Sequence, residues 1–357
     1  MNTLANEFTQ HCPVPISDYA NILMAHGSGG KLTHQLIDTI FLPQLSNPYL
    51  NQRHDGAVLD LMSFSQHTRM AMTTDSYVIK PLFFPGGDIG SLGVYGTVND
   101  LAMCGARPLF MSLALILEEG LAMETLQRVI CSIKKASEET SVQCVTGDTK
   151  VVDKGKGDGL YLNTTGIGVV EHDLLISPLS VSKGDHIIVS GDIGRHGMAV
   201  MALREGLEFE SRIVSDAASV VGVVLDLIQA GIRIHCLRDL TRGGLGNALV
   251  EIARTRHSVI HVDECAIPVT DDVKNACEVL GLDPLYVANE GRFIMILPEE
   301  DADRALQIMR RHKVAECSAL IGEVLEVDAD SHVSIKSIIG TSRIVDMLSA
   351  EQMPRIC

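Results

Sequence analysis

The longest apolar stretches of this chain, residues 109–117 and 220–228, are nine residues each and carry Ser112 or Asp226 inside them. That length suits a buried strand or a packed helix and falls well short of the ~20 apolar residues a membrane helix needs. Around them, short apolar runs alternate with helical stripes, and the runs close on glycine or on a single aspartate. Strand patterns stand at Met70–Thr74, Leu109–Leu117, Ile187–Ser190 and Phe293–Leu297, with another at Val142–Val152 that GDTK at 147–150 is expected to interrupt. Helical spacing follows Lys31 (Leu32, Leu36, Ile37, Ile40 and Phe41, stopped by Pro43) and recurs before Gly105, around Leu126–Ile133, over Leu245–Arg254 and over Glu300–His312. A long helix is predicted from Ser215 to Ala230, with Ser215 and Asp216 as its N-terminal caps. Strand and helix in alternation predict an α/β or α+β fold of mixed sheets packed by helices.

A chain of 357 residues that is 46% hydrophobic exceeds the size at which one core usually divides, so two domains are expected. The polar stretch His172–Gly184, with Pro178, Ser180 and Ser182, marks the boundary. The expected organisation is an N-terminal extension over 1–20, domains over 21–172 and 173–340, and a tail over 341–357 where the patterning fades and the chain is expected to be mobile. Net charge is −16 and no Lys/Arg run exceeds two residues, so no stripe exists to track a nucleic-acid backbone. The first residues lack the basic start and apolar centre of a secretion signal, and the expectation is a soluble cytoplasmic protein without membrane partners. Nine cysteines lie at 12, 104, 131, 144, 236, 265, 277, 317 and 357 without a C-x-x-C pair, which signals neither a disulfide framework nor a zinc site. All but Cys357 read as small buried hydrophobes.

Several residues have the chemistry of a site. HGSGGK at 26–31 precedes a helix, so the amides around Gly27, Gly29 and Gly30 can cradle phosphates, with His26 and Lys31 adding charge. It lacks the spacing of a P-loop, and a plain surface loop is the competing reading. Asp75, Asp100, Asp148 and Asp239 form a dispersed set, most of them at strand ends, where such folds place ligands; Asp55 is a possible fifth. Single hard carboxylates of this kind suit magnesium held together with phosphate oxygens. Glu290, in ANEGR, and Lys150, next to Thr149 in GDTK, can act as a proton acceptor and its charge partner, or can be surface ions. Cys357 ends the sequence after Met353, Pro354, Arg355 and Ile356, a placement from which a thiol can visit two sites.

The segments AHGSGGK (25–31), TDSYVI (74–79), FFPGGDIG (83–90), ILEEGL (116–121), TGDTKVV (146–152), RDLTRGG (238–244), ANEGR (288–292) and PRIC (354–357) together resemble the HypE family of hydrogenase-maturation proteins, from about Asn21 to the last residue. The resemblance implies the fold shared with aminoimidazole ribonucleotide synthetase and selenophosphate synthetase, with N-terminal sheets pairing across a homodimer. It implies ATP and Mg2+ as cofactors, and a carbamoyl group placed on Cys357 by a HypF-like carbamoyltransferase. Dehydration of that group to a thiocyanate would supply the cyanide ligand of a nickel-iron hydrogenase through a HypC–HypD complex. Cys357 would then be the carrier, and Glu290 and Lys150 the groups that handle protons. Asp55, Asp75, Asp100, Asp148 and Asp239 would hold magnesium and phosphate, with Thr149 beside them and the glycine loop over the triphosphate. At position 54 this chain has His54 where the family often carries a second acidic residue. The competing functions are an ATP-dependent synthetase acting on a free small molecule and a nucleotide-sensing scaffold with a docking tail.

Overall fold

The structure is a computed structural model that describes residues 30–36, 38–39, 50–53, 57–60, 69–206, 213–348, 353 and 355–357. The N-terminal extension, His26, Gly27, Gly29 and Asp55 lie outside the described residues. The first half contains the short helix α1 (Lys31–Leu36), then β1 (Ala57–Asp60), β2 (Arg69–Tyr77), the small pair β3 (Phe83–Phe84) and β4 (Gly87–Asp88), and α2 (Ile89–Met103). It continues with β5 (Arg107–Glu118), α3 (Met123–Thr140), β6 (Gln143–Val152) and β7 (Leu160–Val170). The second half runs β8 (Asp185–Val189), α4 (Arg195–Glu205), α5 (Val221–Gln229), β9 (Cys236–Asp239), α6 (Gly244–Arg256), β10 (Ser258–Asp263) and α7 (Asp271–Leu280). It closes with β11 (Phe293–Pro298), α8 (Glu299–Met309), β12 (Ala319–Val327), β13 (His332–Lys336) and β14 (Ser342–Val345).

Five strands of the first half form one sheet in the order β1-β2-β7-β5-β6, in which only β5 and β6 are parallel. Along β7 buried and part-exposed residues alternate from Leu160 to Val170, so one face of this sheet is covered and the other open. The cover is α2 and α3. The N-cap of α2 is Asp88, whose carboxylate accepts the amides of Gly90 and Ser91 while Ser91 Oγ accepts the amide of Asp88. Gly96 lets the helix lie directly on the sheet: a Cβ there would stand 2.2 Å from the Tyr77 hydroxyl. Close approach is what brings Asp100, near the end of α2, to within 2.8 Å of Thr73 Oγ1 on β2.

The seven strands of the second half are ordered β14-β13-β10-β12-β8-β11-β9. Phe293 to Leu297 of β11 are all buried, because the strand is packed on both sides: Phe293, Met295 and Leu297 join one core with α5 and α8, and Ile294 and Ile296 another with α6. An apolar run without alternation is the signature of such a doubly covered strand. The first of these cores continues into the other domain through Tyr77, Ile89 and Leu92. Among the described residues no helix is long and apolar enough to cross a membrane.

Four expectations change. The helix predicted from Ser215 begins only at Val221, because Ser215 and Asp216 are buried and turned to other partners. GDTK does not interrupt its strand; residues 147–150 pair with Leu113 to Ile116 inside β6. Cys131 in α3, Cys144 on the edge strand β6, Cys265 in a short 3-10 helix and Cys317 in a turn are exposed rather than buried, and Cys12 lies outside the described residues. The fading pattern after residue 341 hides β14, an edge strand paired to β13, and beyond it Met353 and Ile356, each 6–7% exposed in the core, hold the tail down. Shortening the chain after residue 352 therefore removes two buried side chains and is expected to cost about 3 kcal/mol, seen as a thermal midpoint lower by several degrees. An unchanged midpoint would mean that these side chains do not pack as described.

Candidate functional site

The site lies where the covered face of the first sheet meets the β9 and β11 ends of the second. Asp75 belongs to the covered face of β2, in the same row as Thr164. Asp239 ends β9 directly opposite Phe293, so the loop before β11 sets Glu290 beside it. Asn99, the neighbour of Asp100 on α2, joins the domains with a buried amide. Its Nδ2 donates to Ala218 O at 2.9 Å and Glu290 O at 3.3 Å, and its Oδ1 accepts the Val220 amide at 2.8 Å. Asp216 Oδ2 accepts the amides of Glu290 and Gly291 at 3.2 and 3.0 Å. Gly291 is required at its position, where a Cβ would lie 2.1 Å from Asp216 O.

Carboxylates thus crowd together. Burial pushes the Glu290 carboxyl well above its ordinary range, with Asp75, Asp239 and Asp216 adding to the shift and Arg242 opposing it. Asp100 is raised by removal from water and by Asp239 and Asp75, and Asp239 is raised mainly by removal from water. Glu290 Oε1 is buried without a hydrogen-bond partner. The cation amid this charge is Arg242, 3.4 Å from Asp75, raised above its ordinary value by Cys357 first and then by Asp75, Asp100 and Asp239.

Cys357 reaches Arg242 because the tail is docked along the end of β2. The Val78 amide donates to Cys357 O at 3.0 Å, the Lys80 amide to Arg355 O at 3.4 Å, and Arg355 Nε to Val78 O at 3.1 Å. Arg204 Nη2 donates to both Lys80 O and Arg355 O, at 2.6 and 2.9 Å. Asp158 takes Arg355 Nη1 at 2.5 Å and Lys80 Nζ at 2.8 Å, and Lys80 foremost holds its carboxyl at about 2. His196 Nε2 lies 2.8 Å from Ile356 O.

Not every residue expected at a site is gathered here. Asp148 lies in the row of Ala114, Asn163 and Ser76, and Lys150 in that of Ile116 and Tyr161, both on the open face of the first sheet, whereas Asp75 is on the covered face. Within one chain they stand three strands from Asp75, about 14 Å of sheet, and on its other side. They pair with each other at 2.9 Å, which holds Asp148 below its ordinary value. Thr149 is exposed on the same edge strand. Lys31 Nζ is paired with Asp346 at 2.7 Å, and Gly30 accepts the His34 amide to start α1. Among the described residues no three His, Cys, Asp or Glu side chains converge as a ready metal site. Arg242, Asp216, Asn99 and Asp158 were not anticipated. Asn99 carried a signal in being a polar amide next to Asp100 in an otherwise apolar helix, and Arg242 in the RGG turn after the Asp239 strand.

Two family models match: AIR synthase related protein, N-terminal domain, over residues 53–170, and the corresponding C-terminal domain over 182–334. Carbamoyl dehydratase HypE of Azotobacter vinelandii is 50% identical over 339 residues, covering 94% of this chain and 97% of that protein. The chain belongs to the HypE family. A crystal structure of a HypE in complex with ATP aligns with it at 47% identity and a TM-score of 0.79, over 94% of this chain and 100% of that one. A HypE–HypF complex aligns at 43% identity and a TM-score of 0.82, over 88% and 99%. In this chain one buried amide satisfies three backbone groups across the domain seam, so Asn99→Ala should strand Val220 N–H and two carbonyls. A loss of about 2–4 kcal/mol in urea unfolding is expected; a midpoint equal to that of the unsubstituted chain would show that the seam is held elsewhere.

Proposed function

We propose that this chain is an ATP-dependent carbamoyl dehydratase that works on a group carried by its own Cys357, and that the thiocyanate it makes supplies the cyanide ligand of a nickel-iron hydrogenase. The observation that carries the reading is the docking of the tail at Val78, which sets Cys357 close enough for its charge to be the largest influence on Arg242, the arginine paired with Asp75. A thiol held against a surface with no acid–base groups would have no such use.

Converting S–C(=O)–NH2 to S–C≡N requires loss of the carbonyl oxygen and of both nitrogen protons. ATP, when bound, supplies the phosphoryl group that turns that oxygen into a leaving group. Glu290 takes one of the two protons, its buried carboxylate, raised in pKa by its surroundings, binding it more tightly than one in water, and the second leaves with the departing phosphate. Arg242 balances the negative charge of the pocket and faces the docked Cys357. Glu290 and Asn99 are each 4% exposed at the seam, and exclusion of water there would protect an activated group from hydrolysis.

Asp75 and Asp239 repel both Asp100 and Glu290, which favours a cation there, and we assign Asp75, Asp100 and Asp239, on the family pattern, as the residues that would hold Mg2+ together with the phosphate oxygens needed to complete a set these side chains do not form by themselves. Asp55 is retained in that set on the family pattern alone. The glycine loop with His26, Gly27, Gly29, Gly30 and Lys31 is assigned to the phosphates on the same ground. The open face of the first sheet carries Met72, Phe110 and Ile116 at 42–44% exposure beside an exposed edge strand, and a second copy of the chain is its proposed cover. Asp148, Thr149 and Lys150 lie on that edge strand, and the role of Lys150 as charge partner of Glu290 is retained on the family pattern alone. A HypF-like carbamoyltransferase is the proposed donor, in keeping with the solved HypE–HypF complex, and a HypC–HypD complex the proposed acceptor.

Intact-mass spectrometry tests the reading. With a carbamoyltransferase, carbamoyl phosphate and ATP, the C-terminal peptide should gain one carbamoyl group and then lose one water, and Cys357→Ala should do neither. Glu290→Gln should load normally and dehydrate about 100-fold more slowly or worse. A Cys357 peptide of unchanged mass would reject the carrier role, and normal dehydration by Glu290→Gln would remove Glu290 from the proton path.

A further inference from the structure

His196 is wholly buried at the start of α4, and the reaction described above gives it no task. Its two ring nitrogens have different neighbours. Ile356 O, at 2.8 Å from Nε2, can only accept, so Nε2 carries the hydrogen. Burial lowers the affinity of the ring for a second proton. Nδ1 therefore accepts, and its partner is Ser215 Oγ at 2.8 Å. Ser215 Oγ in turn accepts the Ala217 amide at 3.0 Å. One residue along, Asp216 holds the amides of Glu290 and Gly291. A directed chain of hydrogen bonds thus runs from the tail carbonyl, through one imidazole and one hydroxyl, to the segment that holds the Glu290 loop.

We propose that His196 is a positioning residue that couples docking of the tail to the placement of Glu290. When the tail leaves, Nε2–H loses its acceptor in a cavity walled by Phe84, whose ring meets the imidazole edge-on at 5.3 Å. The ring then resets its donor and acceptor against the water that replaces Ile356 and against its remaining partner, Ser215 Oγ. Ser215 and Asp216 are adjacent, and Gly291 is packed against Asp216, so a shift at the hydroxyl reaches the Glu290 loop. Glu290 is then set only while Cys357 is in place. The meaning of this timing for dehydration rests on the proposed function; the coupling itself does not.

Hydrogen exchange separates the two. The amides of Glu290 and Gly291, bonded to Asp216, are the reporters, followed in the full chain and in a chain shortened after Met353. Shortening should speed their exchange about tenfold, the range of an ordinary coupling between sites. His196→Gln offers a donor where Nε2 was and loses the bond to Ser215; His196→Asn offers an acceptor where Nδ1 was and loses the bond to Ile356. Each cuts the chain at one end, so in both variants shortening should speed exchange little further. Absence of any response in the unsubstituted chain, or a full response in both variants, would overturn the proposal. Neither result bears on whether Cys357 carries a carbamoyl group, which the mass measurement decides by itself.

Discussion

The buried side-chain amide of Asn99 is the interaction on which the rest of the site depends. One planar group satisfies a donor and two acceptors of the second domain from a helix of the first. Without it, Val220, Ala218 and Glu290 would leave backbone groups unpaired in a dry seam, each at a cost of about 1–3 kcal/mol. With it, the loop of Glu290 is fixed against α2, and the adjacent Asp100 faces Thr73 on the sheet. Two successive side chains of one helix thus serve two purposes, one joining domains and one contributing charge to the pocket between them.

The pocket collects more negative charge than its own cation balances. Arg242 is shared by Asp75, Asp100, Asp239 and Glu290, and Cys357 is a further neighbour. Crowding of this kind is unfavourable for folding and useful for binding cations or moving protons, which is why perturbed carboxyls gather at functional sites. The docked tail bears on the same balance. Its hold is polar and local, through Arg355 with Asp158, Arg204 with two carbonyls, and His196 with Ile356, while Met353 and Ile356 anchor it in the core. Such a tail is held by a few separable contacts, and release requires no rearrangement of either sheet.

Much of this was legible from residues alone, and the exceptions share a cause. Strand and helix alternation placed Asp75, Asp100 and Asp239 near strand or helix ends correctly because burial imposes a period on each element. Period 2 also decides which face a residue occupies, yet the face that a helix will cover depends on the tertiary fold. For that reason Asp148 and Lys150 were expected with the other site residues and lie on the open side. Ser215 and Asp216 looked like caps because short polar side chains satisfy backbone amides. They do so here, for Ala217, Glu290 and Gly291, but between two loops of the second domain rather than at the head of a helix. The docking of the tail was hidden because four residues carry no periodicity; what decides it is the segment just past β2, where Val78 lies 277 residues away from Arg355.

The most direct measurement of the docked tail is the alkylation rate of individual thiols, resolved by peptide mass. Cys131, exposed on the outer side of α3, sets the rate for an open thiol. Cys357 is expected to react markedly more slowly than Cys131 in the unsubstituted chain, and to approach it in Arg355→Ala, where Asp158 and Val78 lose their hold on the tail. Equal rates for Cys357 and Cys131 in both proteins would contradict the docking of the tail on Val78, Asp158 and His196.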